Sequence, residues 1–379
     1  MSLTLTEEQE ILQRTAREFV TGRAPLKRLR DLHDDPACFS RPLWREMAQL
    51  GWSGIVLPEA HGGAEMGFVE FMVVMEELGR GLAPEPMLSA LGLGAEALLL
   101  GGSKAQQLAE LPGIGSGERL VTVAYQEATS RYDVQRVATR AERSGEGWRL
   151  TGDKRHVLDG AVADAFIVSA RTAGDAADAA GVTCFLVPRD AAGVSVEPQR
   201  RVDGRGAAIV RLANVMVRPD AVVGAVDEGT DLLTRVLDRA TIALCAEMLG
   251  GMLAALEMTL DYLKTRKQFG VPIGSFQALK HRAARMFIES ELARSVVFAA
   301  AHAADGGDER AIARSASIAK AKCSEAYLLI ANEAVQMHGG IGMTDEHDIG
   351  LYLKRARAAE LTFGDAAFHR DRIARLDGY

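Results

Sequence analysis

Three segments of this 379-residue chain carry side chains whose types and spacing suit chemistry. The first surrounds Glu247, one carboxylate inside the apolar run Ile242-Ala-Leu-Cys-Ala-Glu-Met-Leu-Gly-Gly-Met. At helical spacing its face carries Ala243, Gly250, Gly251 and Ala254, small enough to leave room for a flat ring or a thioester. A desolvated carboxylate there would be poised as a base near neutral pH. The same residue would equally serve as the buried partner of an arginine from another helix.

The second segment is Asp261-Tyr-Leu-Lys-Thr-Arg-Lys-Gln-Phe-Gly-Val-Pro-Ile-Gly-Ser-Phe-Gln277. A helix stops by Gly270, and Arg266 and Gln268 at its end offer a cation and an amide to a pyrophosphate and a sugar. A capped helix with basic residues complementing its dipole has the same pattern. In the third, Gln336-Met-His-Gly-Gly-Ile-Gly-Met, three glycines after a helix permit close backbone approach to a ligand. Gln336 adds donors and an acceptor, and a plain glycine cap is the alternative. Gly92-Leu-Gly94-Ala-Glu-Ala97 matches a dinucleotide-binding pattern, but no strand–turn–helix surrounds it, so we read packing glycines in a helix.

These segments need a scaffold, and the chain changes texture twice. Residues 1–117 show helical apolar periods, opening with an acidic first turn at Glu7 and Glu8, and predict an all-α domain. Residues 118–224 predict a β domain of barrel or sandwich type, with strands at 120–124, 165–170, 183–187 and 208–217 and a hairpin turn at Gly145. Residues 225–379 return to helices, at 232–266, 276–304, 311–339 and about 366–376, and predict a four-helix bundle. The fold class is therefore α+β.

A net charge of −7 argues against nucleic acid as a partner. The four cysteines lack zinc-site spacing, so no metal site is expected, and they suit a reducing compartment. The acidic N-terminus lacks the apolar core of a signal peptide, and the apolar run 240–258 contains Glu247 and Glu257. We read a cytoplasmic protein with no membrane span.

RKQFGVPIGSFQ followed some sixty residues later by QMHGGIGM resembles the acyl-CoA dehydrogenase family, as do LTEEQEIL, LPEAHGG and MEELGR in the same order. The wording is closest to the small-subunit type of pimeloyl-CoA dehydrogenase. The resemblance implies an FAD-dependent flavoprotein with N-terminal helical, middle β and C-terminal bundle domains. It also implies a homotetramer or an α2β2 heterotetramer working in fatty acid β-oxidation and lipid metabolism. By the same resemblance Arg266, Gln268, Phe269, Gln277, Gln336, Gly339 and Gly340 would hold the adenosine half of FAD across a subunit interface. His338 would lie near the cofactor, and Asp238 near the bound thioester.

The sequence departs from the family in two places. The flavin-lining stretch reads Gln126-Glu-Ala-Thr-Ser-Arg-Tyr-Asp133, and the ring-stacking stretch reads His156-Val157-Leu158. Gln126 and His156 are thus the ring-side candidates. The two usual base positions fall on Phe363 and Ala240, with Thr241 in place of a common arginine. That leaves Glu247 as the candidate base, with Asp365 second. The implied reaction is α,β-dehydrogenation of an acyl-CoA to the 2-enoyl-CoA, with electrons passed to an electron-transfer flavoprotein. The alternatives are a non-catalytic, half-site subunit of an α2β2 enzyme, or a flavin monooxygenase or oxidase on the same scaffold.

Overall fold

Thr6 opens the first helix with a capping box: its hydroxyl accepts the Gln9 amide, and the Gln9 side chain accepts the Thr6 amide. The computed structural model describes residues 4–32, 35 and 37–379. Helices α1 (Glu7–Arg23), α2 (Leu26–Asp31), α3 (Arg41–Gln49), α4 (Phe68–Arg80), α5 (Glu96–Gly101) and α6 (Lys104–Gly115) come first. The sheet strands follow: β1 (Val121–Ala124), β2 (Arg140–Ser144), β3 (Gly147–Leu158), β4 (Ala165–Arg171), β5 (Val182–Pro188), β6 (Val194–Arg200), β7 (Gly206–Val217) and β8 (Val222–Val223). Helix α7 (Gly229–Thr265) leads into a small hairpin, β9 (Lys267–Gln268) and β10 (Val271–Pro272). Helices α8 (Gln277–Gly306), α9 (Glu309–His338), α10 (Ile349–Leu361) and α11 (Ala366–Leu376) complete the chain. Helical N- and C-terminal regions thus flank a middle sheet, as the residue pattern predicted.

These elements form two compact units whose segments interleave. One, the helical unit, takes the segment through Arg30, Phe68–Ala83 and Thr241–Tyr379; the other, the sheet unit, takes Asp31–Gly67 and Pro84–Ala240.

In the sheet unit the strand order is β6-β7-β3-β2-β4-β5-β8, with β1 parallel to β4. The predicted hairpin is present: Ser144 pairs with Gly147 across a turn in which Gly145 takes φ 61°. Trp148, Leu150, Phe166, Phe185 and Val210 fill the core on one face of this sheet. Strand β6 was not expected, because VSVEPQR has no buried residue and pairs only at the β7 edge. Gly94 packs a π-helical turn, Leu88–Ala95, onto β1, since a Cβ there would overlap Val121 O. The glycine pattern at 92–97 therefore serves packing.

In the helical unit α4 crosses α7 at very close range. A Cβ on Gly79 would overlap the Glu247 carbonyl, and one on Gly250 would overlap the Glu76 carbonyl. Glu77 is fully buried beside this crossing and takes a bidentate pair from Arg17 at 3.0 and 2.7 Å. Helix α7 is long and apolar enough to cross a membrane, but 83% of its most apolar window is buried within the protein. Helix α10 was absent from the predicted bundle. Its charged sequence IGLYLKRARAAEL hides the apolar period, yet it carries Arg355 into the interior.

Candidate functional site

The cofactor-type motifs at 261–277 and 336–343 both lie in the helical unit. Helix α7 ends at Thr265, and the chain turns back at once through β9 and β10, with Gln268 opposite Val271. The two turn residues, Phe269 and Gly270, take φ 54° and 81°, the left-handed pair of a tight hairpin turn. A phenylalanine there carries backbone strain of about 1–2 kcal/mol, and its ring is 91% exposed. It meets Phe276 edge to face at 6.0 Å. Arg266, Gln268 and Gln277 are exposed around this turn.

At the other motif α9 ends on His338, and the Gly339 amide donates to the Gln336 carbonyl. The glycines there divide by cause. Gly339 is required by its φ of 67°, and Gly342 by packing, since a Cβ would lie 2.7 Å from Val335 O. Gly340 has no left-handed φ, and a Cβ on it would meet nothing within 4 Å. Its backbone is open where the chain itself needs no glycine, which leaves the turn free for a ligand. The two motifs approach each other through Tyr262 near the end of α7, whose ring stacks on His338 at 4.5 Å and 27°.

The ring-side candidates lie in the sheet unit, and there too the structure brings them together. A bulge interrupts β3 between Lys154 and Val157, so three successive residues reach different partners. Lys154, fully buried, donates to Glu127 Oε1 at 2.6 Å and Ser169 Oγ at 3.0 Å. The Arg155 amide donates to the Gln126 carbonyl at 2.8 Å. The His156 amide donates to Gln199 Oε1 at 3.2 Å, with His156 at φ 51°. Glu127 also accepts the Ala138 and Thr139 amides at 2.7 and 3.1 Å, which ties down the loop that begins at Gln126. Burial alone would raise the Glu127 carboxyl, but the Lys154 ammonium and these hydrogen bonds outweigh it and hold it below its usual range. Burial first, then Arg201 and Arg155, pull the His156 imidazole below its ordinary value. At position 158 the chain offers leucine, which has no hydroxyl to bond a ring nitrogen.

The structure changes the picture around Glu247. The small residues at 250 and 251 do not leave a space for a ligand: Gly250 admits the α4 backbone, and a Cβ on Gly251 would overlap the Tyr327 hydroxyl of α9. Arg355 of α10 donates to both Glu247 oxygens, Nε to Oε1 at 2.7 Å and Nη2 to Oε2 at 3.0 Å, in a buried bidentate pair. Protonating Glu247 would break this buried charge-assisted pair, which opposes a base role. The sequence raised an arginine partner as an alternative, but the partner's helix was not recognised.

Asp365 is also committed locally, capping α11 by accepting the Phe368 amide at 2.9 Å. Phe363 beside it is buried at φ 62°. Its carbonyl lies 3.1 Å from His369 Nε2, and Gly364 O accepts from Lys320 Nζ at 2.6 Å. Lys320 is fully buried and also bonds Glu360 O and Ser324 Oγ; burial pulls its pKa down to about 8. Asp238 is buried at 4% exposure near the start of α7, in the sheet unit. Lys154 and Lys320 escaped the sequence reading. The available signal for Lys320 was its place among Ala316, Ser317 and Ser324 on one small-residue helix face.

Sequence profiles decide the family. The N-terminal, middle and C-terminal domains of acyl-CoA dehydrogenases match residues 6–118, 122–215 and 227–376. The chain belongs to the acyl-CoA dehydrogenase family. Family members are FAD-dependent oxidoreductases. Among relatives, acyl-CoA dehydrogenase FadE27 of Mycobacterium tuberculosis is 32% identical over 381 residues, covering 99% of this chain and 98% of that one. Among solved structures, the ChsE4–ChsE5 complex from Mycobacterium tuberculosis is 30% identical with a TM-score of 0.90, covering 100% of both chains. A variant of the Tcur3481–Tcur3483 steroid acyl-CoA dehydrogenase is 35% identical with a TM-score of 0.87, covering 99% of this chain and 98% of that one.

Tested against FAD, the two halves of the candidate site differ. The exposed Arg266, Gln268, Phe269 and Gln336 and the open Gly340 backbone fit a nucleotide diphosphate presented from outside the chain. On the ring side Leu158 has no hydroxyl to offer a flavin, and His156 is the side chain left to cover the ring.

Proposed function

We propose that this chain is a subunit of an FAD-dependent acyl-CoA dehydrogenase and supplies the adenosine-side half of a flavin site completed by a different chain of the same fold. The Glu247–Arg355 pair is the observation that carries this reading, because it occupies the carboxylate that stands first among the candidate bases. Phe363 at the usual base position and the N-cap role of Asp365 point the same way. Arg266, Gln268 and Gln277 would hold the pyrophosphate and ribose, with Gln336, Gly339 and Gly340 against the adenosine. Phe269 would cover the nucleotide at the interface, which accounts for an exposed, strained aromatic. A flavin held there would supply the hydride acceptor for the dehydrogenation, and the α-proton would go to a carboxylate of the complementing chain. Electrons would then leave to an electron-transferring flavoprotein.

Two structural relatives are named as pairs, which favours an α2β2 assembly over a homotetramer. The steroid named for one of them makes a steroid acyl-CoA the first thioester to test.

The test is the visible spectrum of the chain purified alone and with a complementing acyl-CoA dehydrogenase chain. The expected result is a colourless protein alone and a flavin spectrum in the complex that bleaches anaerobically with an acyl-CoA. A yellow homo-oligomer that bleaches with a thioester, and stops doing so in Glu247→Gln while keeping its FAD, would overturn the half-site assignment and restore Glu247 as base.

A further inference from the structure

Three aromatic rings join the two cofactor-type motifs inside the helical unit. Tyr262 lies four residues before Arg266, and His338 lies between Gln336 and Gly339. Tyr262 stacks on His338 at 4.5 Å, and His338 meets His347 at 4.5 Å and 53°. Tyr262 also reaches His347 edge on at 6.4 Å.

The hydrogen bonds fix what each imidazole does. His338 Nδ1 lies 2.7 Å from the Ala334 carbonyl, which can only accept, so Nδ1 carries the proton. His338 Nε2 is then an unprotonated acceptor, buried and without a partner among the described residues. His347 Nδ1 accepts the Ile349 amide at 3.2 Å, which places the third ring at the start of α10. A helix end held by one glycine turn frays, whereas stacked rings on two helix ends set their register.

We propose that this aromatic column is the positioning element of the cofactor-holding turn. His338, gripped by Tyr262 and His347, sets Gln336, Gly339 and Gly340 against Arg266 and Gln268. The inference rests on the reading that these motifs hold FAD. His338 does not touch the ligand, because its ring is buried; it acts through the turn that follows it.

The column works only with a neutral His338. A proton on Nε2 would add a buried cation and a donor facing no acceptor among the described residues. Tyr262 is the group that α7 presents to it, and His347 the titratable neighbour from the segment before α10. Of the carboxylates flanking His347, Asp345 pairs with Lys354 and Asp348 with Arg30, and the adjacent Glu346 is the remaining acidic neighbour in sequence. Burial lowers the His338 pKa, the Ala334 carbonyl opposes this, and His347 adds to the lowering.

The experiment follows bound FAD by visible absorbance against pH, beside the thermal midpoint, for the complex with its complementing chain. Wild type is expected to shed flavin as the solution is acidified from neutral. His338→Phe keeps a stacking ring without a titrating nitrogen; it is expected to hold flavin at neutral pH and release it at lower pH than wild type. Tyr262→Leu removes the stack and is expected to weaken FAD binding about tenfold, with Tyr262→Phe restoring it. A His338→Phe release profile identical to wild type, or undiminished FAD affinity in Tyr262→Leu, would overturn the proposal. Should His338→Phe not fold, the Tyr262 pair decides alone. A wild-type complex that takes up no FAD at any pH sinks the flavin reading itself, a failure distinct from variants that bind FAD like wild type.

Discussion

Replacing Arg355 by Met would remove the bidentate partner of the buried Glu247 carboxylate, and replacing Glu247 by Gln would remove the negative charge that faces the Arg355 guanidinium. Both side chains are nearly solvent-free, at 5% and 2% exposure, so neither ion recovers water. Removing one partner of such a pair costs about 3–5 kcal/mol, while replacing both by apolar groups of similar volume is close to neutral. The variants Glu247→Gln and Arg355→Met should therefore be severely destabilised, while the apolar double variant Glu247→Leu/Arg355→Met should lie near wild type. The two single penalties would together exceed the double by roughly 5 kcal/mol or more. Urea unfolding of the four proteins, followed by circular dichroism, measures this directly. A Glu247→Gln variant with an unchanged urea midpoint would refute the reasoning, because the carboxylate would then be held for chemistry and not for the fold.

Gly250→Ala should destabilise the chain by about 1–3 kcal/mol or more through overpacking, since its Cβ would overlap the Glu76 carbonyl at the α4–α7 crossing; a thermal melt checks this. Phe269→Asn should leave the isolated chain as stable as wild type or slightly more so, because asparagine suits a left-handed turn. The same variant should weaken FAD uptake in the complex, so melting and flavin titration move in opposite directions. His369 is buried with its pKa depressed by burial to about 3, far below an unfolded value near 6.5. The unfolded chain therefore binds the proton first: this contribution is complete above about pH 6.5 and is lost as pH falls towards 3. His369→Phe should flatten the pH dependence of stability across that window, read from urea midpoints.

The sequence by itself determined the family, the order of helical and sheet regions, and the two glycine-bearing motifs. Each depends on local signals: hydrophobic period, turn residues, or a run such as RKQFGVPIGSFQ whose meaning survives without coordinates. It also located the unusual positions, Phe363, Ala240 and His156, because a departure shows wherever the surrounding motif is intact. What only the tertiary structure decided was the state of each polar group. Glu247 read as a carboxylate on an open face because helical spacing reports neighbours along one helix and not what the next helix brings. Arg355 arrives from more than a hundred residues away, on a helix whose charged sequence hid its period. Lys154 likewise reads as an ordinary charged strand residue until the fold sets Glu127 of the preceding loop against its buried ammonium. The column of Tyr262, His338 and His347 has no sequence signal at all, since its three rings come together only when the ends of α7 and α9 meet. Periodicity is a one-dimensional property of a chain; charge pairing, burial and ring contact depend on which surfaces meet, and that is set by packing.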